Sequence, residues 1–297
     1  MSSLTLPQPA GLLRLSDLLL LLVAMVWGTS YGIAKGALAY YPVLGFLAIR
    51  FLLTFALLAP TLLNISPQAR RDALLAGLPL GALMLGIFIC ETFGVAMTQA
   101  ANAAFLISLC IVMTPFVEWW LLRRRPATPA FAFAGVSLLG ALLLSGGLEA
   151  RFGLGDLLML GAALLRAITV CLTSKLTQGR QIAPLALTAV QAAVIGSGSL
   201  FLAWFSPQGL PALPAHTGFW LATVYLVLGC TIFAFFAQNW ALRHSSPTRV
   251  SLLTGSEPVF GALFAVLWLG ETLSPIAWLG GALIVLSAFW AARHKAI

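Results

Sequence analysis

The chain has 297 residues, of which 61% are hydrophobic and only 8% charged, with a formal net charge of +8. Soluble domains carry about 25% charged and about 45–50% apolar residues, and disordered chains need low hydrophobicity with many charges. Both classes are excluded and the bilayer is the expected solvent, which at about 20 residues per span the chain is long enough to cross many times.

In chain order, apolar runs of spanning length cover Leu15–Leu38, Pro42–Leu63, Ala73–Met97, Ala101–Leu122, Pro129–Gly147, Leu154–Leu176, Pro184–Phe205, Thr217–Leu242, Thr248–Gly270 and Pro275–Ala292. These ten runs are continuous, without apolar/polar alternation, which favours helices over barrel strands. The first is too long for a cleavable leader and is expected to stay as a span. The positive charge does not indicate nucleic acid, because the Lys and Arg residues lie between oily segments and build no long basic face. The four cysteines lie inside apolar runs without a CxxC pair, and the three histidines fall at segment ends, so no metal site or cofactor is expected.

Charge between the runs alternates. Arg14, Arg70 with Arg71, Arg123 to Arg125, Lys175 with Arg180, Arg243 with Arg249, and Arg293 with Lys295 fill every other connection, while the alternate ones hold little beyond Lys35 and Arg151. The positive-inside rule then places both termini and the even-numbered loops in the cytoplasm. The expected location is the cytoplasmic (inner) membrane of a bacterium, multi-pass. No connection is long enough for a separate domain, and no Gly-x-x-x-x-Gly-Lys-Ser/Thr phosphate loop offers ATP-driven work.

Two halves are expected. Asp17 opens the first helix as Asp156 opens the sixth, each before a leucine-rich run, and Pro115 in the fourth helix matches Pro258 in the ninth. Residues Ala104 to Ser108 precede the first proline at the spacing with which Pro247 to Ser251 precede the second, and Gly135 in the fifth helix matches Gly280 in the tenth. An odd number of helices per repeat forces the halves into opposite orientations, with a substrate site near the midplane between them. The expected fold is an all-α integral membrane protein: residues 15–147 and 154–292 form two inverted five-helix repeats around a central cavity, between cytoplasmic tails 1–14 and 293–297.

Several motifs carry a family resemblance: Trp27-Gly28-Thr29-Ser30, Arg50-Phe51, Asn102-Ala103-Ala104-Phe105-Leu106, Glu257-Pro258-Val259-Phe260, Gly270-Glu271 and Gly280-Gly281-Ala282-Leu283-Ile284. In this order and spacing, over essentially the full chain, they resemble the drug/metabolite transporter superfamily in its EamA-type branch. The resemblance implies a ten-helix bundle with both ends in the cytoplasm, a cavity lined by helices 1–4 and 6–9, and helices 5 and 10 at the periphery. Members of that branch mostly export amino acids, metabolites or drugs, and some take substrates up; the resemblance names no substrate.

Charges buried in lipid cost about 2.5–3.5 kcal/mol each on the insertion scale, so each needs a reason. By residue count Arg166 lies halfway down the sixth helix and Glu257 halfway down the ninth, the two deepest charges of opposite sign. They read either as a structural ion pair or as cavity groups that bind the charged ends of a substrate or carry coupling protons. Pro258 removes a backbone hydrogen bond beside Glu257 and is a candidate hinge, as is Pro115. The resemblance implies an aromatic residue where Arg166 stands, so Arg166 is a departure that favours an anionic group held by its planar fork. Trp27 and Tyr31, one turn apart, are candidate aromatic walls. Glu91, where relatives often carry Gln, is a proton-coupling candidate alongside Glu257, and Glu118 reads as an interfacial partner of the Arg123–Arg125 cluster. Asn102, Ser108, Gln191 and Gln238 complete the candidate substrate-binding set, although each also fits a simple interhelical hydrogen bond. No catalytic residue is assigned.

These features point to a secondary transporter working by alternating access, exporting amino acids or related carboxylates. Uptake, or flipping of a lipid-linked sugar or phosphate, is a second transport reading. A membrane-embedded enzyme is the alternative from another class; it needs clustered His, Asp or Ser near one interface, which the sequence lacks. The expected partners are a small-molecule substrate and membrane lipids, with homodimer and monomer equally compatible.

Overall fold

In a computed structural model, residues 15–98, 100–145, 153–207, 209–269 and 272–293 are described, with the backbone alone at Tyr31, Ala100, Ala101, Asn102, Ala104, Ala265, Trp268 and Leu269. The described residues form helices and no strand: α1 (Leu15–Leu38), α2 (Val43–Leu63), α3 (Pro67–Met97), α4 (Ala100–Ser108), α5 (Cys110–Leu122), α6 (Thr128–Leu144), α7 (Leu154–Thr177), α8 (Pro184–Trp204), α9 (Thr217–Tyr225), a π-helical segment (Leu226–Phe233), α10 (Ala234–Ala241), α11 (Pro247–Thr254), α12 (Glu257–Leu269) and α13 (Pro275–Arg293). Eight stretches among them are long and apolar enough to cross a membrane, and α6 is a shorter apolar helix. Large apolar side chains such as Leu57, Trp204, Leu221, Leu267 and Trp278 stand exposed on the outside, an exterior suited to lipid rather than water.

Helix starts follow from local chemistry. Ser-Pro pairs open three helices: Ser66, Ser246 and Ser274 each accept a backbone N–H three residues on (Ala69, Arg249 and Ala277), and the proline that follows loses no bond at a helix's first position. The first of these caps makes α3 begin at Pro67 rather than at Ala73, where hydropathy begins. In that early turn the Arg70 guanidinium donates to the Leu62 and Leu63 carbonyls at 2.8 and 3.3 Å and so closes the end of α2.

Three expected spans are not continuous α-helices. The fourth divides into α4 and α5 at Leu109, and the ninth into α11 and α12 at Gly255 and Ser256. Glu257 therefore stands at the start of α12, not halfway down an unbroken helix. Pro115 lies inside α5, six residues after the break, so the discontinuity expected there falls earlier in the chain. The two breaks adjoin: a Cβ on Gly255 would collide with Ile111, and Thr114 Oγ1 donates to Ser251 Oγ at 3.0 Å. The eighth span carries the π-helical segment, where Thr231 Oγ1 bonds the Leu226 carbonyl five residues back at 2.9 Å. Such insertions redirect backbone groups and cluster at functional sites.

Close backbone approach fixes two crossings. A Cβ on Gly28 in α1 would stand 2.6 Å from the Glu257 carbonyl oxygen, so α1 and α12 touch backbone to backbone beside Glu257. Between α6 and α13, a Cβ on Gly140 would meet the Gly280 oxygen at 2.6 Å and one on Gly280 the Gly140 oxygen at 2.5 Å. Gly280, the repeat counterpart of Gly135 in the sequence match, thus packs against Gly140.

Candidate functional site

Two adjoining cavities occupy the space between helices at mid-depth. The smaller, about 100 Å³, lies among the second half of α1, the first turns of α2, the last third of α3, α7 and α10. Exposed Lys35 lies on its rim, and Glu91, Arg50, Phe46 and Phe88 lie deeper. The larger, about 360 Å³, lies between α1, α4, α6 and α12 with a mainly apolar wall that includes Val95, Phe105, Ala141, Leu144 and Phe264. Trp27, Val95, Arg166, Val170, Gln238 and Glu257 line both. The polar members of this shared set form the junction.

Its geometry is specific. Arg166 Nη2 donates to Glu257 Oε2 at 3.3 Å, and the two side chains keep 19% and 8% of their exposure. The Arg166 guanidinium lies 5.2 Å from the centre of the Trp27 ring, within cation–π range. Trp27 is fixed in turn, because its indole N–H donates to the Cys230 carbonyl of the π-helical segment at 2.9 Å and its ring meets Phe235 edge-on at 6.5 Å. The pair is neither sealed in the core nor out in lipid: it borders both cavities.

The other candidates divide. Ser108 and Gln238 line the larger cavity, Gln238 also the smaller, and Glu91 the smaller, while Pro258 borders the larger. Gln191 lies outside both: its Oε1 accepts from Asn239 Nδ2 at 3.1 Å, and this fully buried amide pair joins α8 to α10. Polar satisfaction within the bundle, not substrate, accounts for that residue. The side chains of Tyr31 and Asn102 lie outside the described residues. Glu118 is buried and within electrostatic reach of Arg124 of the arginine cluster, while its hydrogen bonds go to another helix: its Oε2 accepts from Thr248 N at 2.9 Å and Thr248 Oγ1 at 2.5 Å. It therefore caps α11, where a carboxylate suits the unpaired N–H groups of a helix start. Nor is α6 wholly peripheral, since Ala141, Leu144 and Ser145 beside its end line the larger cavity, whereas α8 lines neither.

Two features were missed from sequence. Arg50, noticed only as part of a motif, is buried at 6% exposure in the wall of the smaller cavity. The other is a seal at the arginine-rich end. Asp17 and Arg249 are fully buried there, with Arg249 Nε and Nη2 donating to the two Asp17 carboxylate oxygens at 3.0 and 2.8 Å and Nη2 also to the Ala292 carbonyl. A dry layer of Leu20, Leu242, Val250 and Leu253 backs this pair. At the opposite end, Asp156 accepts from two neutral donors, Thr98 Oγ1 at 2.6 Å and Gly153 N at 2.8 Å.

A helical bundle with a lipid-compatible exterior and a charged cavity at mid-depth is the architecture of a membrane transport protein. The chain belongs to the EamA-like transporter family, which matches residues 14–146 and 153–293 as two successive repeats. An uncharacterized transporter of Archaeoglobus fulgidus is 29% identical over 290 residues, covering 93% of this chain and 86% of its own. The uncharacterized inner membrane transporter YedA of Escherichia coli is 27% identical over 278 residues, covering 88% and 85%. A solved crystal structure superposes with a TM-score of 0.73 at 18% identity, covering 92% of this chain and 94% of its own, so the fold is shared.

Proposed function

We propose that this chain is a secondary active transporter that exports amino acids or related carboxylates by alternating access. The observation that carries the reading is the Arg166–Glu257 pair, which meets at 3.3 Å at the border of two cavities. A zwitterion exchanges with such a pair without leaving a charge unmatched: its carboxylate takes the guanidinium fork and its ammonium group takes Glu257. The substrate thereby replaces the protein's own contact, which holds down the cost of separating two partly buried charges. Glu91, on the wall of the smaller cavity, is the proposed coupling group, with Glu257 the second when no substrate ammonium group occupies it.

The proposed arrangement is ten spans in two inverted repeats, with both termini in the cytoplasm. The match of one family to two successive stretches of the chain supports it. So does the occurrence of a helix break in both the fourth and the ninth span. With the arginine-rich end inside, the cavity faces outward and the Asp17–Arg249 layer is the closed inner gate. The breaks at Leu109 and Gly255 are the flexing points through which the gate opens as the outer ends close.

The test is counterflow of radiolabelled amino acids in liposomes containing the purified chain. Saturable exchange is expected from the wild type, and Arg166→Ala is expected to abolish it while the protein still elutes as a folded species. Retained exchange in that variant removes Arg166 from the site.

A further inference from the structure

Arg50 is difficult to account for as scaffolding. It is nearly nine-tenths or more withdrawn from solvent, at 6% exposure, on an apolar stretch of α2. Its Nε donates to Thr231 Oγ1 of the π-helical segment at 3.1 Å. Its guanidinium is also in contact with the Phe51 and Phe88 rings, 5.1 and 5.4 Å from their centres. These contacts fix the plane of the fork. Among the described residues, however, Nη1 and Nη2 donate to no acceptor and Arg50 forms no ion pair. One neutral hydrogen bond is weak compensation for a desolvated charge, and an uncharged amide would serve Thr231 as well. The residue lines the same small cavity as Arg166, Glu257, Glu91 and Lys35.

We infer that Arg50 is a second anion-binding point of this cavity, so that the preferred substrate carries two carboxylates: a four- or five-carbon dicarboxylate or acidic amino acid. The inference rests on the proposed transport site, in which Arg166 and Glu257 take the substrate's amino-acid head. Arg50 then receives the distal carboxylate through its two terminal nitrogens, in the bidentate geometry that a planar guanidinium offers and an ammonium group does not. The cavity, about 100 Å³ beside a larger one of about 360 Å³, has room for a molecule of that size. Phe88 and Phe51 keep water from the fork, which strengthens the charge-assisted bond. Glu91 acts on Arg50 electrostatically across the cavity without pairing to it, and so tunes the strength of the anion point.

L-glutamate and L-glutamine differ at one end only, and their affinities for the purified full chain in nanodiscs separate the two points. Binding of tritiated glutamate, competed by each compound, is expected to show wild-type preference for glutamate of about tenfold or more, the discrimination of one charge-assisted fork. Arg50→Gln is expected to bring the glutamate-to-glutamine ratio to about one, and Arg50→Lys to leave it in between. Glu91→Gln, which keeps Arg50 in place, is expected to raise the ratio several-fold and answers the question if the Arg50 variants do not fold. A wild-type ratio near one, or a ratio indifferent to both Arg50→Gln and Glu91→Gln, overturns the second anion point while glutamine binding leaves the transport site standing. Absence of binding by either compound overturns the amino-acid-head reading and this inference together.

Discussion

Two arginine–carboxylate pairs tie helices of this protein together, Asp17–Arg249 between the two repeats and Arg166–Glu257 within the second, and their surroundings give them different work. Asp17–Arg249 sits at the arginine-rich end with both groups buried, two donors on one carboxylate at 2.8 and 3.0 Å, and a carbonyl on the remaining side of the guanidinium. Arg166–Glu257 sits at mid-depth, meeting at 3.3 Å beside cavities, with 19% of the Arg166 side chain still exposed. A dry pair is hard to break because separation strands a buried charge, whereas a looser pair at a cavity edge can trade partners. The lesson is that charge complementarity alone does not identify a site; access to a cavity does.

The largest expected effect breaks the dry pair. Asp17→Ala should destabilise the fold by about 3–5 kcal/mol, read as a lowered midpoint of unfolding in detergent, and the double variant Asp17→Leu with Arg249→Met should recover most of the loss. Gly28→Ala tests the backbone contact that holds Glu257 in place. A Cβ 2.6 Å from the Glu257 carbonyl must push α1 from α12, costing about 1–3 kcal/mol, and counterflow should fall with it. Glu118→Ala removes the cap of α11 at a cost of about 1–2 kcal/mol, and proteolysis near Thr248 should accelerate. The smallest effect on stability is reserved for the cavity pair: Arg166→Ala should change the unfolding midpoint by the equivalent of about 1 kcal/mol or less while removing exchange. Equal destabilisation by Asp17→Ala and Arg166→Ala would erase the distinction between the pairs.

Much of the fold was legible because hydropathy reports where lipid meets the chain. The runs Leu15–Leu38 and Pro42–Leu63 match α1 and α2 within a residue. Hydropathy is blind to discontinuities inside an apolar run, so the break at Leu109, the break at Gly255 and the π-helical segment were all passed over. For Glu118 the neighbouring arginines are visible in the sequence, but its hydrogen-bond partner Thr248, 130 residues away, is not. Gln191 was overread because a polar residue in an apolar run signals a hydrogen bond but not to what. The signal for Arg50 was present and unused: a lone arginine inside a span is a functional candidate by default. Arg166 and Glu257 stand out in the sequence as deep charges of opposite sign, but whether they meet each other or a substrate is open there; their 3.3 Å contact is a finding of the structure.

The central claim is a chamber reached from the arginine-poor face and sealed at the other. Single cysteines at Ser30, which lines the smaller cavity, and at Ser16, buried beside Asp17, placed in a background with Cys90, Cys110, Cys171 and Cys230 replaced by Ala, test it directly with a membrane-impermeant maleimide in oriented vesicles. Ser30→Cys should label from the face opposite the chain termini, and Ser16→Cys should stay unlabelled from both faces. Labelling of Ser16→Cys from the face that carries the termini, with Ser30→Cys inert, would contradict the account.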